Sequence, residues 1–317
     1  MNAYLAQMAQ QEKLEWLQAI GASLGLIVAA LFLPGGDDLY RYYIPFELGC
    51  LDCGFVPYFA QWFLAPLRFL PAHPYGWVLW TIISVLGFLI LAYFTGANPI
   101  LFMISFPVLG QIWLGQIDVL ICAGIIIYLS GKNPYWRGLG VILALTKPQL
   151  TALPLLFSML LETRASVPKL FVVPSGVVLA SLLVYGFAWP AQWLSNAMTE
   201  LPVHAWRQAS LDIWRYGVFL LPIPLFMDTP RRRLEAGLLV SALATPFFGV
   251  YSYVIFLLLR TKWWWTALSF AWLVGLLWLG ESAMRLAWIL PMGMLASLVF
   301  EAWQERAGKS AKGNICV

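Results

Sequence analysis

The sequence predicts an all-α protein, a polytopic bundle of transmembrane helices, and three observations carry that prediction. Of the 317 residues, 61% are hydrophobic and only 11% are charged, against about 25% charged in a soluble domain. Apolar runs over 77–94, 170–188 and 263–279 reach or approach the roughly 20 residues that cross a bilayer. Seventeen tryptophans suit a protein with two interfacial belts. The formal charge of +4 comes from basic residues spread over many loops, so no nucleic-acid partner is expected. Residues 1–15 are polar and Gln-rich, with Glu12, Lys13 and Glu15 just before the first apolar stretch; no cleavable signal peptide is expected there.

In chain order the apolar segments fall at 16–33, 75–95, 98–114, 116–130, 136–147, 148–161, 167–188, 211–227, 233–246, 247–259, 262–279 and 283–302. They make roughly 10–12 helices, several too short to span alone. With the amino terminus in the cytoplasm and strict alternation, thirteen of the 19 Lys and Arg residues fall inside. Six fall outside: Arg41, Arg68, Lys147, Arg207, Arg215 and Arg285. That bias follows the positive-inside rule. It requires 136–161 and 233–259 each to be two short helices bent at the outer side. Thr146-Lys147-Pro148 supplies one bend, because proline pushes the preceding residue out of helical dihedrals and suits the first turn of the next helix. Thr245-Pro246 repeats the device. Each following helix then points unpaired N–H groups at the outer face, where an anion can bind. Segment 58–70 is aromatic and weakly charged and predicts an interfacial helix. Segment 189–210 is a polar outer loop, and 303–317 a polar, frayed cytoplasmic tail. The chain reads as one integral membrane domain over 1–317.

The first outer loop, 34–57, carries Pro34-Gly35-Gly36-Asp37-Asp38-Leu39-Tyr40-Arg41-Tyr42-Tyr43. Adjacent carboxylates here are either a solvated connector or a general base at the membrane–water interface, with Tyr40, Arg41 and Tyr43 beside a substrate. Cys50 and Cys53 form a C-x-x-C in the same loop, which can clip the loop, bind metal with outside help or do redox chemistry, with a local disulfide favoured if the loop faces an oxidising compartment. Lys147, inside an apolar stretch, either binds a phosphate together with a helix amino terminus or snorkels to headgroups; Gln149 can share either role. Gln111 and Gln116 can hydrogen-bond a sugar hydroxyl or stitch helices, and Asp118 can cap the next helix or touch substrate. Tyr251 and Tyr253 are belt residues or substrate contacts. Arg285 either pairs with Glu281 or meets a phosphate. His204 is a surface histidine or a substrate contact. With two histidines and no ligand-spaced cluster, no metal site is expected.

The runs G-Q-I-D-V-L-I-C-A-G-I-I-I-Y-L (115–129) and G-L-G-V-I-L-A-L-T-K-P-Q-L-T-A-L-P-L-L (138–156) resemble the core of glycosyltransferase family 87. The acidic first loop and A-T-P-F-F-G-V-Y-S-Y (244–253) fall at matching positions. The resemblance implies a GT-C fold and an enzyme that uses a polyprenyl-phosphate sugar, with mannose the family-level sugar. It further implies a catalytic aspartate in the first extracytoplasmic loop, here Asp37 or Asp38. The family's Lys-Pro maps onto Lys147-Pro148 and its Gly-Gln onto Gly115-Gln116. Where many members show a histidine or tryptophan, this chain has Tyr251-Ser252-Tyr253.

The implied reaction is an inverting hexosyl transfer to a lipid- or glycan-linked hydroxyl in a bacterial plasma membrane. The termini are then cytoplasmic and the active site extracytoplasmic. No cofactor is expected, since a lysine can neutralise the departing phosphate. Two other classes remain open on sequence: a transporter or flippase for a lipid-linked sugar, and a non-catalytic membrane scaffold.

Overall fold

The computed structural model describes residues 2–53, 56–197, 213–245 and 248–313, and every regular element among them is helical. The longer helices are α1 (Asn2–Phe32), α2 (Tyr75–Thr95), α3 (Phe106–Leu114), α4 (Asp118–Ser130), α5 (Pro134–Ala144), α6 (Pro148–Met159), α7 (Ser166–Tyr185), α8 (Pro230–Ala244) and α9 (Ile289–Gly313). Four stretches are long and apolar enough to span a bilayer: Gln10–Phe32, Tyr75–Thr95, Ser166–Tyr185 and Ser282–Ala307. Asp118–Ser130, Val250–Leu259 and Trp263–Leu279 are apolar but shorter.

Proline and glycine set most boundaries. Pro134, Pro148 and Pro230 open α5, α6 and α8, positions where the missing N–H would have had no helical partner. Asn133 and Thr229 cap two of these starts, accepting from the N–H groups of Tyr135 and Arg232. The bend at Lys147 forms as the sequence predicts: α5 ends at Ala144, Lys147 is non-helical at φ −126° and ψ 78°, and α6 begins at once. The second bend differs. Thr245 is extended, Pro246 lies outside the described residues, and helix resumes only at Val250 as a 3-10 turn leading into Val254–Leu259.

Other expected helices are subdivided. Segment 98–114 breaks into Pro99–Met103 and α3, where Ser105 is extended as the N-cap of α3 and Pro107 sits in its first turn. Segment 58–70 is three short turns, Tyr58–Ala60, Gln61–Leu64 and Ala65–Phe69, with Pro66 denying a backbone donor to a longer helix. The polar tail is not frayed from residue 303: α9 runs on to Gly313.

Helix α5 packs between α4 and α7, while α8 packs on α6 and α9. The α4–α5 contact is backbone on backbone. A Cβ on Gly124 would lie 2.5 Å from the Ala144 nitrogen, and one on Gly140 would lie 2.6 Å from the Gly124 oxygen. Small residues of this kind let membrane helices approach closely. The approach brings the last turn of α5 beside α4, and so positions Lys147 near Asp118.

Charges separate to the two ends of the bundle. At the end away from Lys147, Arg137 pairs with Glu162 at 2.9 Å. Nearby, Arg260 bridges Glu235 at 3.0 Å and Glu301 at 2.6 Å, and Arg232 holds Glu305 at 2.8 Å.

Candidate active site

The other end gathers the connections 33–38, 115–117 and 145–147 around a buried polar cluster. Helix α3 ends at Gly115, which takes the left-handed conformation at φ 71°. A Cβ there would sit 2.8 Å from the Leu39 Cβ and 3.1 Å from the Gly36 Cα, so glycine lets the first loop press onto the turn. The same loop is pinned from the other side: Gly36 N–H donates to the Trp113 carbonyl at 2.8 Å. Trp77 fills the space against Gly35 and Gly36 and donates its indole N–H to Ile112 O at 2.9 Å. His73 Nε2 lies 3.2 Å from the Gly35 carbonyl. A one-residue-wider π turn follows over Leu39–Tyr43, a distortion frequent at functional sites.

Lys147 stands at the centre. It is 5% exposed, and its ammonium donates to Gln116 Oε1 at 2.5 Å and to Asp118 Oδ1. The rings of Tyr43 and Tyr251 face it at 5.8 and 5.4 Å, close enough for cation–π attraction. Asp118 also accepts from Gln111 Nε2 at 2.6 Å and from Ser252 Oγ at 2.6 Å. Gln111 donates in addition to the Tyr251 carbonyl at 3.1 Å. Gln116 donates through Nε2 to Asp38 Oδ2 and accepts from Tyr43 OH at 2.7 Å. A continuous chain therefore runs from Ser252 through Asp118, Lys147 and Gln116 to Asp38.

The two aspartates of the first loop differ. Asp37 is exposed, whereas Asp38 is half-buried against the cluster. Burial pushes the Asp38 carboxyl up to about 6, with Asp37 and Asp118 adding to the rise and Lys147 and the Gln116 N–H opposing it. A carboxylate with that value is a usable base near neutral pH.

Other residues singled out by the sequence stand around this core. Tyr40 OH donates to Pro71 O at 3.2 Å, and the Arg41 guanidinium covers the Tyr42 ring at 5.6 Å. Gln149 is half-buried in the first turn of α6. Tyr253 points into the core, where it stacks on Phe256 with ring centroids 5.2 Å apart. Arg285 is exposed on the 3-10 segment Gly280–Trp288, which packs on Ala271–Leu279. Cys50 and Cys53 are joined as a disulfide. His204, with Trp206 and Arg207, lies outside the described residues, and so does the Glu281 side chain. Ser252, Trp77 and Trp80 join the site without having been singled out. Ser252 carried a signal, a hydroxyl between two tyrosines at an apolar segment; the tryptophans were masked by their abundance.

Ionisable groups so deeply placed in an apolar bundle are rare and costly. Fold and cluster together define an integral membrane protein with a buried charged cluster at one end of its helices. The family model for glycosyltransferase family 87 matches residues 57–220, a stretch that holds Gln111, Gln116, Asp118 and Lys147. The chain belongs to glycosyltransferase family 87 and is a membrane glycosyltransferase. No curated protein and no solved structure matches it.

Proposed function

We propose that this glycosyltransferase moves a hexose, mannose by family resemblance, from a polyprenyl-phosphate sugar to a lipid- or glycan-linked hydroxyl, with Asp38 as the general base. One observation carries the choice of Asp38 over Asp37: only Asp38 is tied into the buried chain that reaches Lys147. The acceptor hydroxyl enters from the aqueous side of the first loop. Its oxygen attacks the anomeric carbon while Asp38 takes the proton. The bond from that carbon to the phosphate oxygen breaks, and polyprenyl phosphate leaves with the electron pair and inversion of configuration.

Lys147 and the amino terminus of α6 supply positive potential for the leaving phosphate. The Lys147 ammonium is engaged by Asp118 and Gln116, so the phosphate takes up its remaining N–H or displaces one of them. The site faces outward and the arginine-rich end faces the cytoplasm, in line with the positive-inside rule.

The test is transfer by purified protein in nanodiscs, supplied with radiolabelled polyprenyl-phosphate hexoses and a membrane-lipid extract. Asp38→Asn is expected to lose about 10²–10⁴-fold in turnover, the usual worth of a general base, while Asp37→Asn keeps most of it. The native rate should fall as pH drops through about 6, where Asp38 takes up its proton. Native turnover by Asp38→Asn would show the base assignment to be wrong.

A further inference from the structure

Gln116 joins the two charged parts of the site, the Asp38 carboxylate and the Lys147 ammonium. We infer that Gln116 is a positioning residue for Asp38: clamped by Lys147 and Tyr43, its amide aims an N–H at Asp38 and holds that carboxylate ionised and in place. The inference rests on the reading of Asp38 as the base.

The amide's orientation follows from its partners. A lysine ammonium has only donors, and it lies 2.5 Å from Gln116 Oε1. The Tyr43 hydroxyl, at 2.7 Å, donates to the same oxygen. Two donors saturate a carbonyl oxygen, so the NH₂ end faces Asp38 and Asp38 Oδ2 is the acceptor. A hydrogen bond given to a carboxylate favours its ionised form.

The Gln116 backbone is held as firmly. Its N–H donates to Gln111 O at 2.9 Å, and its carbonyl accepts from Trp80 Nε1 at 3.1 Å. Gln116 is 3% exposed and has no acceptor left for a sugar hydroxyl. It acts through Asp38 rather than on the sugar.

The charged and titratable groups facing Asp38 come from every neighbouring element. Asp37 lies on its own segment, Asp118 opens α4, and Lys147 stands between α5 and α6. The phenols of Tyr43 and Tyr251 face Asp38 as well, and both couple to Tyr42. Among them, Lys147 and the Gln116 N–H are the influences that favour the ionised carboxylate. Removing the N–H leaves burial and two like charges opposed by Lys147 alone.

The test uses the full chain in nanodiscs and an infrared pH titration of the Asp38 carboxyl band, identified as the band that Asp38→Asn abolishes. Gln116→Met keeps the side-chain length and removes the N–H. Its Asp38 midpoint should rise by about one pH unit, a tenfold gain in proton affinity. With radiolabelled polyprenyl-phosphate hexoses as donors, the acid limb of its rate profile should rise with the midpoint. A merely structural defect would lower the whole profile without moving that limb. A midpoint unchanged in Gln116→Met overturns the inference. If Gln116→Met does not fold, Gln116→Asn takes its place, because it keeps a buried amide but, one methylene shorter, draws the N–H back from Asp38; an unmoved midpoint there overturns the inference equally. The titration reads Asp38 whether or not it is the base, so retained turnover in Asp38→Asn would defeat the base reading separately.

Discussion

Lys147 is buried, and its ammonium end meets four partners. Asp118 supplies the countercharge, Gln116 a carbonyl oxygen, and Tyr43 and Tyr251 two ring faces. Taking away one partner of such a buried pair strands the other, at a cost of about 3–5 kcal/mol. Loss of activity in Lys147→Ala would therefore mix structure with phosphate binding, and Asp38 and Gln116 are the cleaner probes. Glu47 shows the opposite case. Its side chain is fully buried, one carboxylate oxygen has no partner, and Arg68 reaches the other at 3.3 Å from a half-exposed position. Burial pushes the Glu47 carboxyl up to about 7, against the hydrogen bond and charge of Arg68. A carboxyl raised from an ordinary 4.5 to about 7 favours folding most when both states are protonated. That contribution is lost as pH rises from about 4.5 through about 7. Glu47→Gln, which resembles the protonated form, is expected to be more stable than the native chain at pH 8 by about 1–3 kcal/mol, the usual cost of an unsatisfied buried group. The gain should vanish below about pH 4.5, and thermal melts in detergent at the two pH values would show it. A gain that persists at low pH would mean that ionisation of Glu47 is not its cause.

At the scale of elements, the site depends on how closely α4 and α5 approach. Their contact at Gly124 and Gly140 has no room for a Cβ on either helix. An exposed helical glycine replaced by alanine normally gains up to about 1 kcal/mol. Here the sign should reverse. Gly140→Ala is expected to destabilise by about 1–3 kcal/mol through overpacking, and to reduce transfer as well, because the carboxyl end of α5 carries Lys147 toward Asp118. Thermal denaturation and the transfer assay on the same preparation check both effects. A stabilised, fully active Gly140→Ala would show that the α4–α5 spacing does not govern the site. Proline acts in the same service: Pro148 ends one helix and begins another, so that the lysine between them turns inward at the helix ends.

For the whole molecule, the division of charge between the ends is the main fact. One end carries the Asp38–Gln116–Lys147–Asp118 chain, and the other carries the Arg137–Glu162 and Arg260–Glu235–Glu301 networks. If the arginine-rich end is cytoplasmic, Ala72→Cys in the loop before α2 should react with an impermeant maleimide in intact bacterial cells. Lys132→Cys, between α4 and α5, should react only after permeabilisation. Both variants are made with Cys122 and Cys316 replaced by serine. The reverse pattern would place the site on the cytoplasmic side and exclude an outer-leaflet donor.

Sequence alone determined the class of the molecule. Long apolar runs, scarce charge and abundant tryptophan left no soluble alternative, since hydrocarbon accepts only self-satisfied helices. It also determined the break at Lys147-Pro148, because proline's geometry is local and needs no partner. The groupings were another matter. Asp37 and Asp38 are neighbours in the chain with the same chemistry, and nothing local separates them. Only the packing of Gly36 and Leu39 against Gly115 turns Asp38 to Gln116 and leaves Asp37 in the open. Whether Asp118 capped its helix or met another residue depended on a lysine 29 positions away. Ser252 reaches that same carboxylate across a separation of 134 residues. Such meetings are products of helix packing, which joins distant segments by shape and volume, and no local pattern records them.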